Sequence, residues 1–467
     1  MLNAADDVFA EGLDRAGIRV KPADRSYLEE PRSLYNGTSR QVALPTSTDE
    51  VSKVVRICAE ARVGIVPYGG GTGLVAGQVA TDGPAPLVLS LERMAAIREI
   101  FPAEDAIVAE AGATVGDIQA AADENGRLFP LSYSSQGTAQ LGGALAVNSG
   151  GLNVLRYGMA RDLCLGIEAV LPDGSVLHAL KRLRKDNTGY DLRHLLIGSE
   201  GTLGVITAAA LRILPRPAET ATAFLAVSSP RAALSLLAIC REQAGELVSA
   251  FELISAEALA FLAATQPDLR QPFDVAPAWS VLTELGMGPG SDPEGQLGTI
   301  FERASETGLV LDGRVAQGER QRADFWALRE AIPHANRRIG AIASHDISLP
   351  LSEIPGFIEE CGERVRKMLS CRISAFGHLG DGNLHYNIFP PKGETRDAYL
   401  GKVQDVTRLV HDMVVACGGS FSAEHGVGRA KSGELERYAD PAKLAAMRAI
   451  KAALDPHGIM NPGAVIT

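Results

Sequence analysis

The run Pro67-Tyr68-Gly69-Gly70-Gly71-Thr72-Gly73-Leu74 packs four glycines into five positions, directly after the apolar stretch Ile65-Val66-Pro67. Glycine accepts positive φ and carries no Cβ, so successive backbone N–H groups can converge on an anion. A strand emptying into such a nest suits a pyrophosphate; a tight surface turn is the plainer alternative. Within it, Gly71-Thr72-Gly73-Leu74-Val75-Ala76 matches the spacing of a dinucleotide-binding fingerprint. Gly77 and then Thr81-Asp82-Gly83-Pro84 leave no room for the crossover helix that fingerprint requires, so NAD binding through this motif is rejected. No Gly-Lys-Ser/Thr follows, so the loop is not a P-loop either.

Two further glycine clusters follow. Gly137-Thr138-Ala139-Gln140-Leu141-Gly142-Gly143-Ala144 continues through Asn148-Ser149-Gly150-Gly151, and Gly198-Ser199-Glu200-Gly201-Thr202-Leu203-Gly204-Val205-Ile206 reads as a turn into a strand. Small residues let another body lie against bare backbone. Each cluster alone says little, but three of them point to one extended ligand.

The chain has 467 residues, which predicts more than one domain, and its 46% hydrophobic and 22% charged residues are those of a globular protein. A formal net charge of −11 argues against nucleic acid, and the longest basic run, Lys181 to Lys185, reads as a solvated loop. Six scattered cysteines with no CxxC pair exclude iron–sulfur and structural-zinc motifs and suit a reducing compartment. The acidic start (Asp6, Asp7, Glu11) is unlike a signal peptide, and no apolar run approaches a membrane span. The expectation is a cytoplasmic enzyme without a transmembrane segment.

Residues 1–36 read as a helical lead-in. Thr48-Asp49-Glu50 reads as the cap of a helix through Val51–Ala61. Short β-rich runs alternate with helices over 86–215, and Pro215-Arg216-Pro217 reads as a boundary. Beyond it the pattern predicts helices at 231–245, 255–264, 293–308 and 319–339, with strands at 220–227, 247–254, 278–285 and 342–349. The tail 433–456 reads as helical. The fold class is α+β, divided into 1–217 (core about 37–215), 218–420 and a C-terminal segment 421–467.

Chemistry concentrates late in the chain. Gly377-His378-Leu379-Gly380-Asp381-Gly382-Asn383-Leu384-His385-Tyr386-Asn387 places two histidines seven apart across a glycine-rich turn, and Glu424-His425 adds an acid and an imidazole. In a strand His385 and Asn387 share a face. Two imidazoles and a carboxylate suit a divalent transition metal with one position open. The spacing also fits residues that bond only to their own backbone, and on the residues alone both readings stand.

The three glycine segments resemble the FAD-binding domain of the vanillyl-alcohol oxidase / p-cresol methylhydroxylase superfamily. Arg184-Lys185-Asp186-Asn187-Thr188-Gly189-Tyr190-Asp191-Leu192 is similar to the branch containing D-2-hydroxyglutarate dehydrogenases, D-lactate dehydrogenases and the glycolate oxidase D subunit. The resemblance spans essentially the whole chain. It implies an FAD-binding domain, a substrate (cap) domain and a C-terminal segment that returns to the flavin site. The diphosphate is expected over Pro67, Gly69, Gly70, Gly71, Thr72, Gly73 and Leu74. Thr138, Gly142, Gly143, Asn148, Gly150, Gly151, Glu200, Gly204, Ile206 and Asn461 are also expected to bind the cofactor, with the Gly142–Gly151 and Gly204–Ile206 segments lining the flavin. No histidine lies in the first loop, which implies non-covalent FAD.

The same resemblance makes His378, His385 and Glu424 ligands of a divalent metal, zinc or manganese, with His425 the catalytic base and Asn387 and Arg329 substrate contacts. The implied chemistry is coherent. A metal lowers the pKa of the C2 hydroxyl, an imidazole removes the proton, and FAD accepts the hydride. A guanidinium suits the substrate carboxylate, although pairing of Arg329 with Glu330 or Asp324 on its own helix is the alternative. The chain departs from the hydroxyglutarate pattern at Pro333, where a threonine is expected, and at Ser344, where a lysine is expected; Arg337 or Arg338 are candidates to compensate.

The expectation is therefore an FAD-dependent D-2-hydroxy-acid dehydrogenase, its substrate D-2-hydroxyglutarate, D-lactate or a relative. A quinone, a cytochrome or an electron-transfer flavoprotein would accept the electrons. An oxygen-using 2-hydroxy-acid oxidase and a flavin-binding subunit of a glycolate oxidase-like complex are the alternatives. A homodimer is compatible with the sequence, which does not determine the oligomeric state.

Overall fold

The computed structural model describes residues 1–466. The chain divides into two compact units: Met1–Gly151, Gly158–Arg216 and Glu424–Thr467 form the first, and Leu152–Tyr157 with Pro217–Ala423 form the second. Both mix helices with sheets, as an α+β chain should.

The first unit contains β1 (Val20–Pro22), β2 (Gln41–Ala43), β3 (Ile65–Tyr68) and β4 (Leu87–Ser90) in a sheet of order β1-β2-β4-β3, with β2 and β3 parallel to β4. A second, antiparallel sheet has order β5-β6-β10-β8-β9, built from β5 (Ile97–Phe101), β6 (Ala106–Glu110), β8 (Cys164–Val170), β9 (Val176–Ala179) and β10 (Val205–Arg212). The short β7 (Arg127–Leu128) pairs with β11 (Leu214–Pro215). The helix Thr48–Ala61 buries Val51, Val54, Val55 and Cys58, the i, i+3, i+4, i+7 stripe of an amphipathic helix. It links β2 to β3 and so aims β3 at the glycine loop.

Three readings need correction here. The lead-in is helical only over Asp7–Arg15 and Arg25–Leu28: Gly17 turns at φ +83°, and β1 then pairs with β2. Ser47, not the Thr48-Asp49-Glu50 run, caps the next helix, its hydroxyl accepting from the Glu50 N–H at 3.2 Å. The tail is two helices, Ser432–Tyr438 and Pro441–Leu454, because Asp440-Pro441 ends one and starts the next.

The second unit is one seven-stranded antiparallel sheet of order β15-β12-β14-β13-β17-β18-β16. Its strands are β12 (Glu219–Val227), β13 (Val248–Ser255), β14 (Trp279–Met287), β15 (Val310–Val315), β16 (Ala343–Ser348), β17 (Arg372–Gly377) and β18 (Asn383–Phe389). One face is covered by helices Pro230–Ala244, Pro293–Glu306, Ile354–Met368 and Val403–Ala416, packed on Leu225, Leu253, Ala375, Tyr386 and Ile347. Alternation turns Phe224, Leu282, Ile254, Phe376 and Phe389 to the other face, where helices Ala256–Thr265 and Glu319–Ile339 pack.

Candidate functional site

In the first unit the three glycine segments converge. A Cβ on Gly69 would lie 2.9 Å from the Gly143 backbone, and one on Gly143 would lie 2.8 Å from the Gly69 carbonyl oxygen. Real side chains do not fit such an approach, so the two backbones touch only because both residues are glycine. Gly70 turns at φ +80° over the Thr138 carbonyl. A Cβ on Gly142 would crowd Ala111 at 2.9 Å and the Ile206 carbonyl at 3.5 Å, which joins the second segment to β10. Gly69, Gly70, Gly71, Thr72, Gly73 and Leu74 remain half-buried, as does Pro67 at the end of β3. Gly150, Gly151 and Gly204 are buried.

The C-terminal stretch locks onto this cradle. Glu200 is buried at φ +52°, and its carboxylate accepts from the Val427 N–H at 2.7 Å and the Gly428 N–H at 2.8 Å. Its backbone carbonyl accepts from Asn461 Nδ2 at 2.8 Å, and the Asn461 amide also reaches the Gly77 carbonyl. Arg429 donates to the carbonyls of Ala76 and Gly77 and to Asn461 Oδ1. Burial pushes the Glu200 carboxyl up, against the two N–H groups that favour its charged form. Asn148, Glu200 and Asn461 all sit in the left-handed region, which costs a non-glycine residue energy and marks a segment shaped by its surroundings. The Asn148 side chain is engaged internally, its Oδ1 accepting from the Arg161 N–H at 2.9 Å.

In the second unit the largely apolar face carries a row of polar side chains. Register pairs His385 with Phe376 on one side and Asp346 on the other, and pairs Asn387 with Ser374 and Ser344. His378 leaves the end of β17, and its ring centroid lies 5.8 Å from that of His385. Arg329 reaches the same face from the Glu319–Ile339 helix and is 4% exposed. Neither helical neighbour pairs with it; its Nε donates at 2.5 Å to Glu252 on β13.

Glu252 is fully buried, and its other carboxylate oxygen lies 2.6 Å from His378 Nδ1. Burial opposes its ionisation, but the charges of Arg329 and His378 and their hydrogen bonds outweigh that and hold its carboxyl at about 2. When the ring is neutral, a carboxylate at Nδ1 keeps the N–H on that nitrogen and leaves Nε2 as the electron-pair donor of His378. Asp346 lies behind the second ring, its Oδ1 3.7 Å from His385 Nδ1 and 2.9 Å from Asn383 Nδ2. Asn387 is buried, with its Oδ1 accepting from the His345 N–H at 3.2 Å. Ala423 donates to the Asp346 carbonyl at 3.2 Å, and the next two residues in the chain are Glu424 and His425.

Both cofactors can be tested against these residues. The half-buried first loop, with the glycine backbones of the other two segments close beside it, fits a long ligand lying on amides, as FAD would. Two imidazoles, each backed by a carboxylate, are the donor set that a divalent metal takes. Glu252, Asp346 and Asn383 were not singled out from the sequence. The signal for Glu252 was an acid inside Phe251-Glu252-Leu253, since a carboxylate buried in a strand must be paired. Arg338 donates at 2.7 Å to the Thr265 carbonyl, and Arg337 and Pro333 are exposed. Among the described residues no helix is long and apolar enough to cross a membrane.

Comparison with known proteins follows the same division. Residues 216–465 match the C-terminal domain of FAD linked oxidases, and residues 39–180 match an FAD binding domain. The mitochondrial D-2-hydroxyglutarate dehydrogenase of Bos taurus is 38% identical over 98% of this chain and 82% of its own length. The D-2-hydroxyglutarate dehydrogenase of Stutzerimonas stutzeri is 36% identical over 91% of this chain and 90% of its own. Among solved structures, p-cresol methylhydroxylase with substrate bound shares the fold at a TM-score of 0.77 and 17% identity, covering 100% of this chain and 98% of that one. An alkyldihydroxyacetonephosphate synthase aligns with a TM-score of 0.73 over 99% and 85% of the two chains, again at 17% identity.

Proposed function

The chain belongs to the FAD-linked oxidase family and is an FAD-dependent oxidoreductase, and from that premise we propose that it dehydrogenates a D-2-hydroxy acid to the 2-oxo acid at a metal-assisted site. The observation that carries the reading is Glu252, a buried carboxylate joining Arg329 to His378. It fixes a cation for the substrate carboxylate and an imidazole for a metal on one rigid sheet face.

Gly69–Gly73, Gly142–Gly151 and Gly204–Ile206 would hold FAD without a covalent bond, and FAD would supply the hydride acceptor. His378, His385 and Glu424 would hold zinc or manganese, which lowers the pKa of a bound hydroxyl. Arg329 takes the carboxylate through the part of its guanidinium that Glu252 leaves over, and Asn387 orients the substrate. His425 removes the C2 hydroxyl proton, a task suited to a group that titrates near neutral pH. Glu200 fixes the loop after His425 by holding Val427 and Gly428. A quinone, a cytochrome or an electron-transfer flavoprotein would take up the electrons. Six free cysteines support a reducing, cytoplasmic setting.

Metal analysis tests the distinctive part. The purified protein should carry about one zinc or manganese per chain, lost together with activity in His385→Ala, in keeping with one set of three protein ligands and an open fourth position. Full activity in that variant after thorough chelation would remove the metal from the account.

A further inference from the structure

Arg329, the one buried arginine among the described residues, offers this face a carboxylate anchor. Its Nε is spent on Glu252, while its Nη2 is buried and has no protein partner. Three further arginines of these elements are committed elsewhere, and Arg337, on the same helix, is exposed. Arg322 donates to Glu284 at 3.2 Å, Arg338 to the Thr265 carbonyl at 2.7 Å, and Arg372 to the Pro390 carbonyl at 2.8 Å with Glu257 at 3.4 Å.

Away from that anchor the polar groups are neutral. Tryptophan 326 (Trp326) fixes the Glu319–Ile339 helix to Glu284 on β14, and Arg329 fixes it to Glu252 on β13, so three residues of helix advance one strand. That is about 4.5 Å of helix against about 4.8 Å between strands. Onward in the same direction lie β17 and β18, with Ser374 paired to Asn387 and Asn387 paired to Ser344. The Ser374 hydroxyl is buried without a protein partner, and so are both amide atoms of Asn336, two turns beyond Arg329 on the helix. Buried hydroxyls and amides favour a partner with which they can hydrogen-bond, and they offer a second carboxylate no counter-charge.

We propose that this enzyme selects D-2-hydroxy acids with one carboxylate and a short, neutral remainder, and discriminates against dicarboxylic ones, with Ser344, Ser374 and Asn336 setting that choice. The inference rests on the proposed 2-hydroxy-acid dehydrogenase activity and narrows it. Its ground is the buried, unspent guanidinium edge of Arg329 beside buried, unpartnered neutral groups.

The test is kcat/KM of the FAD-loaded protein for D-lactate and D-glycerate against D-2-hydroxyglutarate and D-malate, measured with an artificial electron acceptor. The monocarboxylates should win by about tenfold or more, since an unmatched polar group in a buried site costs at least that much. Ser344→Lys, opposite Asn387, should shift the ratio toward the dicarboxylates by about tenfold. Equal values for the two classes, or a preference for D-2-hydroxyglutarate in the unaltered protein, overturns the inference while leaving the dehydrogenase reading in place. A flavin that none of the four acids reduces contradicts that parent reading instead. The unaltered protein decides the question even where the lysine variant does not fold.

Discussion

Glu252 Oε2 accepts a hydrogen bond from Arg329 Nε at 2.5 Å, across 77 residues of sequence and with both side chains buried. The pair is a buried ion pair with a third member, His378, on the second carboxylate oxygen. Removing one partner of such a set leaves a charge without compensation inside the protein.

Glu252→Ala should therefore destabilise the fold by about 3–5 kcal/mol, the usual cost of breaking a buried pair. Glu252→Gln keeps the shape and a hydrogen bond while removing the charge. It should fold, yet bind metal about 10–100-fold more weakly because the His378 ring loses its carboxylate support. Denaturant unfolding and metal titration of the two variants separate the contributions. Unchanged metal affinity in the glutamine variant would make Glu252 a purely structural partner of Arg329.

The contact between Gly69 and Gly143 makes a second prediction. A methyl group at Gly69 would stand 2.9 Å from the Gly143 backbone, so the two loops must part. Gly69→Ala should give a folded protein, by circular dichroism, that purifies with much less FAD. An alanine variant as yellow as the unaltered protein would show that this approach does not shape the cofactor cradle.

Not all of this could be read from the sequence. The glycine loops were legible because four glycines in five positions after a strand have few uses, whereas Arg329 was picked out by resemblance and its pairing with Glu252 was not foreseen. Glu252 was not legible, since nothing local to Phe251-Glu252-Leu253 names a partner 77 residues away. The lead-in misled for a related reason. Val20–Pro22 is a strand only because Gln41–Ala43 lies beside it, and pairing is a tertiary fact that local propensity does not carry. His385 and Asn387 were correctly placed on one face by alternation, but their neighbours Asp346, Ser344 and Ser374 come from strands whose register the sequence does not print.

Glu168 gives the first unit a pH dependence. Burial alone would raise its carboxyl, but hydroxyls from Thr48 at 2.6 Å and Thr207 at 3.0 Å, with Arg98 at 3.2 Å, bring it below the usual 4.5. A carboxyl lowered in the folded state contributes stability that is complete above 4.5 and fades as pH falls through its native value. Glu168→Gln should flatten the acid limb of the stability curve below pH 4.5 and leave the slope above it unaltered. Parallel acid limbs for the two proteins would refute the assignment.

Glu200 holds the loop after His425 through the Val427 and Gly428 N–H groups, and its carbonyl accepts from Asn461. Glu200→Ala should lower kcat more than it raises KM, because it frees the loop without touching the substrate. It should also lower FAD retention, since Asn461 and Gly428 share the same network. A KM effect alone would place Glu200 in substrate binding.

The central claim is that FAD in this protein accepts a hydride from a D-2-hydroxy acid. Anaerobic mixing with D and L enantiomers of a 2-hydroxy-acid series, followed by the flavin absorbance, tests it most directly. At least one D acid should bleach the flavin, its L enantiomer should not, and the matching 2-oxo acid should accumulate. An FAD-loaded protein that stays yellow with every acid of either hand would contradict it.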